Sequence, residues 1–253
     1  MKKELNKKGI TSEYILALSK KKQEPEWLLE LRLKGLEYWN KLTMPKWAPD
    51  ISELDLDDIL MYVETGNEMV SSWDEVPKEI KETFDKLGIP EAEQEHLAGV
   101  GAQYDSEVIY HNLKERIAKK GVIYLPMEEA IQLTKKNKEE VVVKYGVDVG
   151  GIVREHFMKL ISEKDHKFAA LHAAVWSGGS FIYIPKRVSV EIPIQSYYRL
   201  NAPGAGQFEH TLIIVDEGSD LHFIEGCSAP KYNVANLHAG CVELFVAKNA
   251  RLR

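Results

Sequence analysis

The sequence predicts an α+β protein: an N-terminal helical and small α/β region over 1–165, then the first coils of a parallel β-helix over 166–253. Three observations carry this. Phe181-Ile182-Tyr183-Ile184, Leu212-Ile213-Ile214-Val215 and Glu243-Leu244-Phe245-Val246 set Ile184, Val215 and Val246 at one phase, each 31 residues from the next. A polar turn follows each, at 185–187, 216–218 and 247–249. A second short strand then starts at Val190, Leu221 and Leu252, again 31 apart. Strand, turn and strand recurring at a fixed interval mark units that bury their faces on one another.

The repeating residues are β-branched or aromatic and the runs are short, which favours strands over helices. Ile182, Ile213 and Leu244 share a face with the anchors and point inward; Phe181, Leu212 and Glu243 point outward. Periodicity leaves two arrangements open, a coil stack or an antiparallel domain with evenly spaced hairpins. The third copy stops inside its second strand without a cap, so the expectation is the front part of something longer or a chain whose open edge a partner covers.

Upstream, Pro25 suits a helix start, and Trp27, Leu28, Leu31, Leu36 and Trp39 stripe a helix to about Lys41. The prolines at 45 and 49 break it. Glu53, Asp55, Asp57 and Asp58 lack the spacing and glycine of a calcium loop and read as a solvated connection. A short helix fits Pro77 to Leu87, stopped by Gly88 and Pro90. Ser106 to Lys120 is expected as an amphipathic helix ended by Gly121, Val122–Leu125 as a strand and Met127–Leu133 as a helix. Gly150-Gly151 then interrupts the chain before a helix over Ile152–Ile161, and the apolar run Phe168–Val175 leads to a turn at Ser177–Ser180.

Composition narrows function. A hydrophobic share of 44% with 28% charged residues belongs to a globular chain. The net charge of −6 argues against a nucleic-acid role. No apolar run approaches the roughly 18–20 residues of a membrane span, and Thr11–Ser19, behind lysines 2, 3, 7 and 8, is too short and polar for a signal core. Cys227 and Cys241 form no disulfide framework, which makes a reducing cytoplasm the expected compartment.

Gly99-Val100-Gly101 and Ser177-Gly178-Gly179-Ser180 lack the ending of a phosphate loop and read as tight turns. No local zinc motif occurs. His210 and Cys241, 31 apart, would stack on the outward face about 4.8 Å from each other; a soft metal or sulfur species suits such a pair, and so does chance. Cys227, in Glu225-Gly226-Cys227-Ser228-Ala229-Pro230, falls at an expected corner. It is either a small buried cysteine or a nucleophile whose pKa a cation lowers, with Arg199 and Lys231 as candidates and Glu225 opposed. A carbohydrate-active β-helix enzyme needs aligned carboxylates, and Glu191, Glu209 and Glu225 share no phase.

Several of these stretches resemble SufB of the SufB/SufD family, the scaffold subunit of the Suf iron–sulfur cluster assembly machine: GVGAQYDSEVIYHN at 99–112, KFAAL at 167–171, AVWSGGSFIYIP at 174–185, GQFE at 206–209, and Asp216-Glu217 through EGCSAP at 225–230. The likeness runs from about Trp27 to Arg253. It implies a right-handed β-helix and a non-enzymatic scaffold that accepts persulfide sulfur from a cysteine desulfurase or sulfur-transfer protein. The implied partners are a SufD-like paralogue or second SufB copy and the ATPase SufC, to which any ATP hydrolysis belongs. It further implies Cys227 as sulfur acceptor, with Arg199 and Asn201, in YYRLNA, serving sulfur passage. The family's later coils, a further cysteine, cluster-forming acidic and histidine residues and ATPase-docking helices have no match here. The expectation is therefore a transient iron–sulfur cluster in the complete complex, no metal or cluster on this chain alone, and no nucleic-acid or membrane partner. A SufD-like subunit without sulfur chemistry, or a non-functional fragment, is the alternative.

Overall fold

The 31-residue interval is a physical register. In the computed structural model, which describes residue 5 and residues 9–48, 50–86 and 96–253, successive copies pair in parallel. The helices are α1 (Ser12–Lys21), α2 (Glu26–Lys41), α3 (Lys78–Lys86), α4 (Glu115–Ala118), α5 (Met127–Leu133), α6 (Lys138–Tyr145), α7 (Val149–His156) and α8 (Lys167–Val175). The strands are β1 (Gly99–Tyr104), β2 (Glu107–Leu113), β3 (Ile123–Pro126), β4 (Ser180–Ile184), β5 (Ile194–Arg199), β6 (Gly206–Gln207), β7 (His210–Val215), β8 (Asp220–Leu221), β9 (Phe223–Ser228), β10 (Leu237–His238), β11 (Cys241–Val246) and β12 (Arg251–Leu252).

One sheet runs β11-β7-β4-β3 and another β2-β1-β5-β9, with the two-stranded pairs β10-β6 and β12-β8 at the corners. Phe181 pairs with Leu212 and Leu212 with Glu243, all parallel, which removes the evenly spaced hairpin arrangement. The polar turns share a backbone state: Arg187, Gly218 and Asn249 have φ of 59°, 70° and 60°. Left-handed backbone at one phase of each copy turns the coil, a position at which only glycine is free of strain.

Both faces of β4 and β7 are buried, whereas on β11 the phase expected to point inward, Val242, Leu244 and Val246, is exposed because no further strand covers it among the described residues. Inside lie Ile182, Ile184, Val190, Ile194, Ile213, Val215 and Leu221. The outward face enters a second core with α5, α7, Phe157 and Trp176, so Phe181 and Leu212 point out of the coil without reaching solvent. Helix α8 packs on α2 at Gly35, where a Cβ would stand 2.7 Å from the Ala174 nitrogen. Arg32, wholly buried, binds both Glu24 carboxylate oxygens and donates to the Ala174 and Trp176 carbonyls at the C-terminus of α8.

Several expectations are corrected. Glu107–Leu113 is a strand, not part of a helix from 106 to 120: Asp105, at φ 52°, reverses the chain, and β2 returns antiparallel along β1. Only Glu115–Ala118 is helical there, because pairing outweighs a sparse stripe. Gly99-Val100-Gly101 is strand rather than turn. A Cβ at Gly101 would lie 2.4 Å from the Tyr124 hydroxyl, so the glycines admit that ring beneath β1. Gly150-Gly151 does not interrupt; it forms the first turn of α7, capped by Asp148, and Gly150 backs onto the Leu133 carbonyl. That helix ends at His156, and Met158 has φ 56°. The strand falls at Ile123–Pro126, one residue later than the expected Val122–Leu125, and the helix at Met127–Leu133 agrees with expectation. Gly88, Pro90 and lysines 2, 3, 7 and 8 lie outside the described residues. No helix among the described residues is long and apolar enough to cross a membrane.

Candidate functional site

Cys227 lies within β9, opposite Tyr198 of β5, rather than at a corner. Strand alternation puts Phe223, Glu225 and Cys227 on the side of β9 that Ile194, Ser196 and Tyr198 present one coil earlier, which is the coil interior. The thiol residue is exposed, because β9 is the outer strand of its sheet.

Beneath it runs a ladder of hydroxyls. Tyr124 Oη lies 3.0 Å from the Gln195 carbonyl and 2.9 Å from Ser196 Oγ. Ser196 reaches Ser180 at 2.7 Å, Ser180 reaches Tyr198 Oη at 3.2 Å, and Tyr198 reaches Thr211 Oγ1 at 3.0 Å. Thr211 donates to Glu225 Oε2 at 2.8 Å. Each member up to Thr211 is buried, and each finds a partner in the next, which is what makes a polar row tolerable inside an apolar coil. At the Cys227 end stand two carboxylates. His238 Nε2–H donates to Glu209 Oε1, and burial leaves Glu209 Oε2 without a partner.

Electrostatics at the thiol run against the expected activation. Burial, then Glu209 and Glu225, push the Cys227 thiol above its ordinary range. Burial, and then the nearby Glu209, likewise raise the Glu225 carboxyl against the pull of Thr211. Arg199 is not the activating cation. It alternates to the opposite face from Tyr198, and its Nη1 donates to Ser228 Oγ at 2.9 Å. Asn201 contributes backbone: its N–H donates to Asp105 Oδ1 at 2.6 Å and its carbonyl accepts from the Tyr232 hydroxyl. Ser228, Asp105 and these two residues thus form a brace beside β9, while Glu209 and Glu225 are the charges that act on the thiol and Tyr198 is its cross-strand partner.

On the outer side, His210 and Cys241 pair in the β7–β11 ladder as the spacing implied, and α8 adds His172. One donor atom from each of the three lies within 4.8 Å of the others, and all three residues are buried. Local motif spacing misses this set because its members are 38 and 31 residues apart. Glu243, the one polar residue at its phase, was the available signal. It accepts from the backbone N–H groups of Met158, Lys159, Leu160 and Ile161 and from His210 Nε2.

Residues 198–253 match the family described as SUF system FeS cluster assembly, SufBD core domain. The chain is 48% identical over 248 residues to the iron–sulfur cluster assembly SufBD family protein of Staphylococcus epidermidis, and equally so to that of Staphylococcus aureus. These alignments take in 98% of this chain and 50% of each relative, so the chain spans about half the length of the curated relatives it matches.

Proposed function

Taking this chain as a SufBD-family sequence, we propose that it is the sulfur-accepting portion of an iron–sulfur cluster assembly scaffold and not an enzyme with turnover of its own. Residues 166–253 are the first coils of a right-handed parallel β-helix, and residues 1–165 cover its start and outer face. Cys227 is the acceptor. Its thiolate attacks the outer sulfur of a desulfurase persulfide; that S–S bond breaks, the donor thiolate leaves, and a new S–S bond forms on Cys227 without net oxidation. Arg199 and Asn201 position β9 through Ser228 and Asp105.

The observation that carries this reading is the exposed thiol on the inward side of an outer strand, at the end of a buried row of hydroxyls. Burial and the Glu209 and Glu225 charges disfavour the thiolate, so a donor protein that offsets the two carboxylates or takes up the proton favours transfer. A SufD-like paralogue or second copy, the SufC ATPase and a cysteine desulfurase are the partners of the complete protein, and the nascent cluster is its cargo. The work is cytoplasmic. Incubation with a cysteine desulfurase and cysteine, followed by persulfide labelling and mass spectrometry, tests it. Label on wild type and Cys241→Ser, but none on Cys227→Ser, is expected. Label indifferent to Cys227 would leave the SufD-like structural reading standing.

A further inference from the structure

We propose that His172, His210 and Cys241 form a site for one divalent transition-metal cation of borderline softness, of the zinc or ferrous type, held by His172 Nε2, His210 Nδ1 and Cys241 Sγ. The three residues come from α8, β7 and β11, and all are buried at 5% exposure or less.

The hydrogen bonds decide which nitrogens are free. His172 Nδ1 stands 3.1 Å from the Ala239 carbonyl, and His210 Nε2 stands 3.1 Å from Glu243 Oε2. A carbonyl and a carboxylate only accept, so both of those nitrogens carry protons. The two remaining nitrogens, His172 Nε2 and His210 Nδ1, then face each other as lone pairs 3.0 Å apart. Two acceptors at that distance repel unless something positive lies between them. Metal-bound imidazoles are commonly held in this way, the outer N–H on a carboxylate or a backbone carbonyl.

A shared proton is the competing occupant. It would create an imidazolium among Phe157 and Trp176, whose rings lie 4.1 and 6.2 Å from that of His210. A divalent cation does better on charge: the Cys241 proton leaves, and thiolate plus the Glu243 carboxylate balance it. Tetrahedral bonds of zinc length set two nitrogens about 3.4 Å apart and nitrogen and sulfur about 3.6 Å apart, so a small side-chain adjustment closes the set. Two imidazoles and one thiolate select zinc or ferrous ions over magnesium or calcium, and three protein donors leave one position for water or an exogenous ligand. One coil earlier the same phase holds Gly179, so no side chain crowds the histidines from that strand.

The site is separate from Cys227, and the two readings fail independently. Cobalt(II) titration of the full reduced chain is the test, because a thiolate-to-cobalt charge-transfer band reports the sulfur directly. We expect one equivalent bound with that band, displaced by zinc or by ferrous iron under anaerobic conditions, whichever binds tighter naming the resident ion. Cys227→Ser should keep the band; Cys241→Val and His172→Gln should lose it while circular dichroism shows them folded. Glu243→Gln should weaken binding roughly 10- to 100-fold. Zinc should also raise the melting temperature of wild type and not of Cys241→Val. No band, a band that follows Cys227 instead, or an imidazolium at His172 or His210 by NMR in the presence of excess zinc would overturn the proposal.

Discussion

Glu243 stands on β11 at the position that Leu212 holds one coil earlier on β7, and both are wholly buried. The carboxylate replaces a leucine because the chain after α7 turns its N–H groups into the coil face. Burial would push this carboxyl up, but the hydrogen bond from His210 and the N–H groups of Ile161 and Leu160 hold it below its usual value.

Glu243→Leu, which copies the preceding coil, should therefore destabilise rather than regularise the repeat. It strands four backbone donors and an imidazole N–H, for a loss of about 3 kcal/mol or more. Urea unfolding checks this; Glu243→Gln, which keeps an acceptor, should lose less.

Gly101→Ala should cost about 1–3 kcal/mol by overpacking against the Tyr124 hydroxyl. In Tyr124→Phe the clashing oxygen is gone, so the same alanine should cost measurably less. A double-mutant cycle of thermal stabilities gives that coupling.

Iodoacetamide should label Cys227 well before Cys241, which is buried and whose thiol burial and Glu243 push up. Glu225→Gln removes one of the charges that raise the Cys227 pKa, so its alkylation at neutral pH should quicken. Peptide mapping of rate against pH would show the profile shifted to lower pH.

His238 is raised above its ordinary value by its hydrogen bond to Glu209, with burial opposing and the Glu209 and Glu225 charges adding. A folded pKa above the unfolded one stabilises fully below about pH 6.5, the unfolded value, and that contribution fades as pH rises through the folded value. The stability difference between wild type and His238→Gln should accordingly be largest at acidic pH and shrink toward alkaline pH. Chemical denaturation across pH measures it.

Arg32→Met should destabilise by about 3–5 kcal/mol, since it leaves the buried Glu24 carboxylate and the terminal carbonyls of α8 unpaired. Adding Glu24→Leu should recover part of the loss.

The parallel pairing of β4, β7 and β11 was legible because Ile184, Val215 and Val246 repeat a chemical type at an interval that the backbone also uses. The hairpin β1–β2 was not. Val108, Leu113 and Ile117 mimic a helical stripe, and the reason for Gly99 and Gly101 is the Tyr124 ring more than 20 residues on. Cys227 stood out as a thiol in a distinctive hexapeptide, yet its surroundings did not. Arg199 neighbours it along the ladder but leaves by the other face, and strand parity becomes readable only once β5 and β9 are known to pair. His172 was hidden for a similar reason: α8 brings it to the strands through packing on α2, which leaves no periodic mark.

The pairing of β5 with β9 departs from the interval used elsewhere: Ile194 meets Phe223, and 223 minus 194 is 29, whereas Ser189 meets Asp220 and Gly206 meets Leu237 at 31. The second turn of the chain therefore drops two residues before this strand and regains two after it. Even-numbered edits are silent to a strand's handed alternation, whereas a single deletion at that bend would swing Gly226 inward and Cys227 out. The position of the Cys227 sulfur thus rests on counting parity, and a lineage that tolerates length changes here should accept them only in pairs.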